Sequence, residues 1–179
     1  MARGLHGALL VEIENPAGLP ILSEALAQLE REHIGMRYPM FAGMYARGLL
    51  RFGDHVRALT AIEDALVWSK AHDELWCISE LVRIKGEILA TSDELDPRGV
   101  SEALYLHAIE VAQQQGALFL ELRAAKSLAR LKLRQGKTAL VESVLSPIYD
   151  KFTEGFEIVD LKESRELLAS VRIASRKFD

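Results

Sequence analysis

The chain carries a single cysteine, Cys77, so no disulfide can form within it and a small bridge-stapled fold is excluded. Glycine and proline number 12 and 5 in 179 residues, too few for a collagen-like or low-complexity chain. No run of about 18 apolar residues occurs, so no membrane-spanning helix and no membrane contact are expected. Residues 1–6 lack a long apolar stretch and a small-residue cleavage site, so a cytoplasmic location is expected. Positive charge is not in excess. The 22 Lys and Arg stand against 26 Asp and Glu, a formal charge of −4, which argues against a dedicated nucleic-acid binder. Strictly alternating runs of Val, Ile and Thr are missing too, which removes the usual signature of a sheet.

What is present is helical. Hydrophobic residues make up 49% of the chain, enough for one domain with its own core. Apolar and small residues recur at spacings of three and four, as in Ala58, Ile62, Ala65, Leu66 and Ser69. Breakers fall at Asn15-Pro16, Gly35, Gly53-Asp54, His72-Asp73, Asp96-Pro97, Gly116, Gly136 and Gly155. Nine helices are predicted between them, over 3–14, 16–33, 37–52, 55–70, 74–92, 98–115, 118–135, 138–151 and 160–175. Pro16 suits a first helical turn, Pro20 is expected to kink the second helix, and Asp160 to Glu163 reads as a capping-box variant opening the last.

The segments repeat. A small residue in the first helix of each pair, Gly7, Ala46, Gly86 and Ala129, is followed in the second helix by a triplet spaced four and three apart. The triplets are Gly18–Leu22–Ala25, Ala58–Ile62–Ala65, Ser101–Tyr105–Ala108 and Val141–Leu145–Ile148. Small side chains let two helices approach to about 8–10 Å, and the larger residue fills the groove beside them. A pair cannot bury its apolar face alone, so neighbouring pairs must stack.

This template resembles the tetratricopeptide pattern, with a longer period, a longer loop at residues 92–97 in the third pair, and Val141 and Ile148 in place of small residues in the fourth. The expected fold is a single all-α domain over residues 1–179, a tetratricopeptide-like right-handed α-solenoid of about four helix pairs (3–33, 37–70, 74–115 and 118–151) plus a C-terminal capping helix (160–175). Three blocks, residues 75–87, 121–131 and 149–156, are similar to the C-terminal helical-repeat region of large bacterial signalling proteins. In those, a DNA-binding or nucleotide cyclase domain and a signalling ATPase module precede the repeats, as in MalT-like regulators. The resemblance implies a sensor or protein-interaction arm in signal transduction or transcription regulation. It implies no cyclase or ATPase chemistry for these residues, and no GxxxxGK[ST] loop occurs in them.

Residue patterns for catalysis are sparse. His6, His33, His55, His72 and His107 form neither an HExxH nor an HxH pair, so no metal, cofactor or catalytic site is assigned. Cys77 beside Trp76 at a helix start reads as a buried structural thiol. The serines fall in no GxSxG or SxxK motif. The Glu30/Glu32 and Glu163/Glu166 pairs read as solvated helix faces. Trp68 and Trp76 are expected to fill the core between the second and third pairs.

The sharper pattern lies on the groove positions that the tetratricopeptide resemblance implies for the first helix of each pair. They are Met40, Gly43, Arg47, Leu50 and Arg51, then Glu80, Arg83, Glu87, Ala90 and Thr91, then Arg123, Lys126, Arg130, Leu133 and Arg134. The last helix places Arg123, Lys126, Arg130 and Arg134 on one stripe. Like charges at this spacing repel unless they meet anions. Those anions are either internal, namely Glu80, Glu87 and Glu121, or carried by a ligand. The expected function is non-enzymatic: a groove for a protein or peptide partner or a small anionic effector. The alternatives are direct nucleic-acid contact through the stripe, and an enzyme on a helical scaffold. The first pair shows no polar cap, which predicts a homodimer through that end.

Overall fold

The structure is a computed structural model that describes residues 2–32, 35–91, 96 and 99–175. Among these residues the chain is all-helical. Its elements are α1 (Ala2–Glu12), α2 (Gly18–Arg31), α3 (Tyr38–Arg51), α4 (His55–Ala71), α5 (Ile78–Leu89), α6 (Val100–Gln114), α7 (Leu118–Arg134), α8 (Thr138–Tyr149) and α9 (Val159–Ser175). No helix is long and apolar enough to cross a membrane among the described residues. His33 and most of the 92–97 loop lie outside them.

Local chemistry sets the boundaries. Asp54 opens α4 by accepting a hydrogen bond from the backbone N–H of Arg57 at 3.1 Å. Asp96 accepts from the backbone N–H groups of Val100 and Ser101 at the start of α6. Among the described residues, five helices end in one kind of turn. A residue in the left-handed region (Glu14, Gly53, Asp73, Gly116 or Gly136) is followed by an N–H that reaches back five residues, as from Asp54 to Leu49 and from Ala117 to Ala112, both 2.9 Å. These turns coincide with five of the breakers in the sequence. Glu14 and Asp73 adopt the left-handed conformation, φ 60° and 56°, at a steric cost that glycine avoids.

Three local expectations need correction. Pro20 does not interrupt α2, because it is the third residue of the helix, where a backbone N–H has no intrahelical partner to lose. Pro16 precedes the helix, in a turn closed by the Asn15 side chain accepting from the N–H of Ala17 at 3.0 Å. α5 begins at Ile78, not at 74, since the N–H of Ile78 closes a turn on the carbonyl of Leu75 at 3.1 Å.

Packing follows the repeat register. Each helix lies against its chain neighbours. The odd-numbered helices also pack on one another, α1 on α3, α3 on α5, α5 on α7 and α7 on α9, whereas no even-numbered helix packs on another among the described residues. One continuous layer of odd helices thus faces a row of separated even ones. All sixteen template positions are buried. At the first crossing a Cβ on Gly18 would sit 2.5 Å from the carbonyl oxygen of Gly7, so the α1–α2 approach depends on glycine. In the third pair Tyr105 stands where the other pairs place Leu22, Ile62 and Leu145. Gly86 opposite makes room for it, since a Cβ there would meet the ring at 2.8 Å. Val141, Leu145 and Ile148 of α8 form a cluster with Leu161, Leu168 and Val171, so α9 covers the last pair.

Candidate functional site

The odd-helix layer carries two adjoining depressions. The first, about 240 Å³, is mostly apolar. Met40 and Met44 of α3, Leu81 and Ile84 of α5, Leu120 of α7 and the exposed Trp76 line it, with Arg47, Glu80 and Arg123 at its rim. Trp76 is therefore not core filler. Its ring nitrogen donates to the carbonyl of Met36 at 3.1 Å, which fixes the indole at the edge of the cleft. Trp68, half-buried, packs within the second pair and toward the turn before it: it is stacked on His72 at 4.0 Å, tilted against Tyr38 at 4.5 Å and close to Gly35.

The second depression, about 540 Å³, is a charged channel lined by Glu12, Arg47, Arg51, Arg83, Glu87, Arg123, Lys126, Ser127, Arg130, Val159, Asp160 and Glu163. Of the groove residues expected from the repeat register, seven line this channel. Glu80 touches it through Arg83 and Arg123, and Arg134 lies beyond its end, in a neighbouring cleft.

The cations are bound by carboxylates. Buried Arg83 donates to both oxygens of Glu80 (2.8 and 3.0 Å), to Glu87 (3.0 Å) and to the hydroxyl of Ser127 (3.1 Å). Arg123 meets Glu80 at 3.1 Å and Asp160 at 3.8 Å. Lys126, also buried, donates to Asp160 and to Glu163, the latter at 2.6 Å, and Arg130 reaches the same Glu163 oxygen at 3.1 Å. On the other side Arg47 pairs with Glu12 at 3.5 Å. Arg51 donates to the backbone carbonyls of Val11 and Glu12 at 3.0 and 2.8 Å and so caps the end of α1. Counting Glu80 and Arg134, seven cations and five carboxylates share the face. It holds an excess of two positive charges in a chain whose formal charge is −4.

Burial alone would raise the Glu80 carboxyl, but Arg83, Arg123 and Arg47 outweigh it and hold it below the ordinary range. Asp160 is likewise lowered against burial by Lys126, Arg123 and Arg83, and Glu163 by Lys126 and Arg130. All three therefore stay ionised at neutral pH.

Two sequence expectations change here. Glu121 does not neutralise the stripe: it is buried on another side of α7, where Lys151 (3.0 Å) and Gln113 (2.8 Å) hold it. Asp160 and Glu163 do not form a capping box, nor is Glu163 part of a solvated pair, because both carboxylates turn onto α7. Glu12, Asp160 and Glu163 are the counter-ions that local sequence reasoning misses. Their only signal is that Asp160 and Glu163 lie three apart, on one face of α9, at a spacing that suits Lys126 and Arg130.

The remaining candidates do not converge. His55 bonds Thr91 at 3.1 Å, His72 stacks on Trp68, and His107 lies 3.9 Å from Glu110. Burial pushes the Cys77 thiol up to about 12, so it stays protonated at neutral pH. No group of three or more His, Cys, Asp or Glu side chains stands at metal-ligand spacing among the described residues. Comparison of the chain with protein-family models and with curated proteins finds no match.

Proposed function

We propose that the chain is a non-enzymatic interaction module whose odd-helix face receives a protein or peptide partner in bacterial signal transduction or transcription regulation. The reading includes a tetratricopeptide-like right-handed solenoid of four helix pairs closed by α9. The contact pattern supports it, because odd helices in mutual contact beneath separated even ones curve a stack toward the odd side. The pathway rests on the resemblance of residues 75–87, 121–131 and 149–156 to the repeat arms of such regulators.

The observation that carries the reading is the two-part face. An apolar cleft opens into a net-positive channel, and Arg47 and Arg123 line both. The matching occupant is a peptide segment with an aliphatic or aromatic side chain for the cleft and a neighbouring Asp or Glu for the arginines. Nucleic acid fits less well, because five carboxylates stand among the cations and would meet phosphates. Selection from a random peptide library on the immobilised chain tests the reading. Enriched sequences should join an apolar anchor to an acidic residue; no enrichment, or enrichment of basic sequences, would refute it.

A second contact is supported by α1 and the turn after it, where Leu5, Leu9 and Ile13, spaced four apart, are 45%, 66% and 72% exposed. This stripe favours a homodimer through the first pair. Light scattering should show a dimer that Leu9→Glu dissociates, and a monomer across the full concentration range would contradict it.

A further inference from the structure

We infer that the cleft next to the charged channel is a subsite for a compact oxyanion, a carboxylate or phosphate group, held by the Tyr105 hydroxyl with Arg134 and Arg130. The inference rests on reading the odd-helix face as a ligand-binding surface. It adds a defined chemical group at a defined place.

Tyr105 carries the argument. The corresponding residues of the other pairs, Leu22, Ile62 and Leu145, are aliphatic and completely buried. Tyr105 is 2% exposed, and its hydroxyl has no hydrogen-bond partner among the described residues. Because no fully buried side-chain polar atom there lacks a partner, the hydroxyl must meet open space, and the space it lines is a cleft of about 440 Å³. A polar group sunk in a core without a partner is unfavourable, and a leucine at this position would avoid it. The third pair instead keeps tyrosine and spends Gly86 on making room for the ring.

The surroundings define the ligand. Arg130 and Arg134 stand one turn apart on α7 and line the same cleft. Arg134 makes no ion pair among the described residues. Arg130 is half-exposed and, among the described residues, reaches only Glu163, through one nitrogen, so most of its N–H donors remain available. The Ser127 hydroxyl is committed to the carbonyl of Arg123. Burial, aided by Glu87, pushes the Tyr105 hydroxyl well above its usual range, so it stays a donor. Two guanidiniums and a hydroxyl make a donor set for anionic oxygens. Glu87, on the same wall, repels further negative charge, so the occupant carries one compact anionic group and is not a polyanion.

The test is an NMR titration of the full chain with sodium phosphate and, separately, sodium acetate, at ionic strength held constant with chloride. The Arg130 and Arg134 side-chain N–H signals and the α7 amides should shift saturably with at least one anion, and the stronger response identifies the group. Tyr105→Phe, which keeps the ring, and Arg134→Gln, on the surface, should each weaken that binding about tenfold. Shifts that stay linear, that chloride reproduces, or that keep their affinity in either variant would overturn the subsite. Peptide binding that persists while both anions remain silent would overturn the subsite alone and leave the proposed docking function standing.

Discussion

The apolar cleft and the charged channel adjoin on one face and share Arg47 and Arg123, yet different physics holds them. The cleft joins buried Leu81 and Ile84 to the half-buried, flexible Met40 and Met44, and its apolar contacts are many, weak and individually replaceable. The channel is made of few interactions that depend on each other. Arg83 and Lys126 are buried charges, and each is tolerable only while its carboxylates stay in place. One part of the face can adapt to an occupant, while the other is rigid and fixed in charge. A basic stripe in a sequence is thus not a measure of free positive charge.

The contrast breaks most visibly at Arg83. Arg83→Met removes a buried guanidinium, leaves the part-buried Glu80 carboxylate without its principal partner and should cost about 3–5 kcal/mol in urea unfolding. Removing Glu80 as well, in Arg83→Met with Glu80→Met, should recover most of that loss. A single-variant cost below about 1 kcal/mol would mean the ladder is not buried in solution.

Acid should separate the two parts next. Asp160 and Glu163 have folded pKa values below their unfolded ones, so their contribution is present above the unfolded values, about 3.9 and 4.3, and is lost as pH falls through the folded ones. Below about pH 4 the amides of α9 should lose hydrogen-exchange protection before those of α3 and α4, whose core is apolar. Loss in the reverse order would remove Lys126 and its carboxylates as the seat of α9.

Smaller effects bound the comparison from below. Met44→Ala in the apolar cleft should cost about 1 kcal/mol, since the side chain is only half-buried and its loss leaves no closed cavity. Arg3→Ala, which removes an exposed ion pair to Glu24, should change stability by less than about 0.5 kcal/mol. A larger cost there would erase the distinction between ion pairs inside and outside the channel.

The core was more legible than the site. Small residues at helix crossings leave a spaced signature, so the burial of Gly7, Ala46, Gly86 and Ala129 and their triplets is legible from spacing alone. Turns were legible at Gly53, Gly116 and Gly136 for the same local reason. The charge pattern was legible only in part. Helical spacing places Arg123, Lys126, Arg130 and Arg134 on one stripe, but which carboxylates answer them is a question of tertiary contact. Asp160 and Glu163 come from a helix more than thirty residues away, while nearby Glu121 turns aside to Lys151. Trp76 misled because a tryptophan between two helix pairs is ordinarily core, and here its ring nitrogen ties it to the rim of the cleft.

The most direct test of the odd-helix face is the affinity of one selected acidic–apolar peptide for three chains: the native one, Arg47→Gln with Arg130→Gln on that face, and Lys70→Gln with Lys137→Gln on the even-helix side. Binding should fall at least about tenfold in the first variant and stay within about twofold in the second. Equal losses in both, or none in the first, would contradict a binding face built on the odd helices.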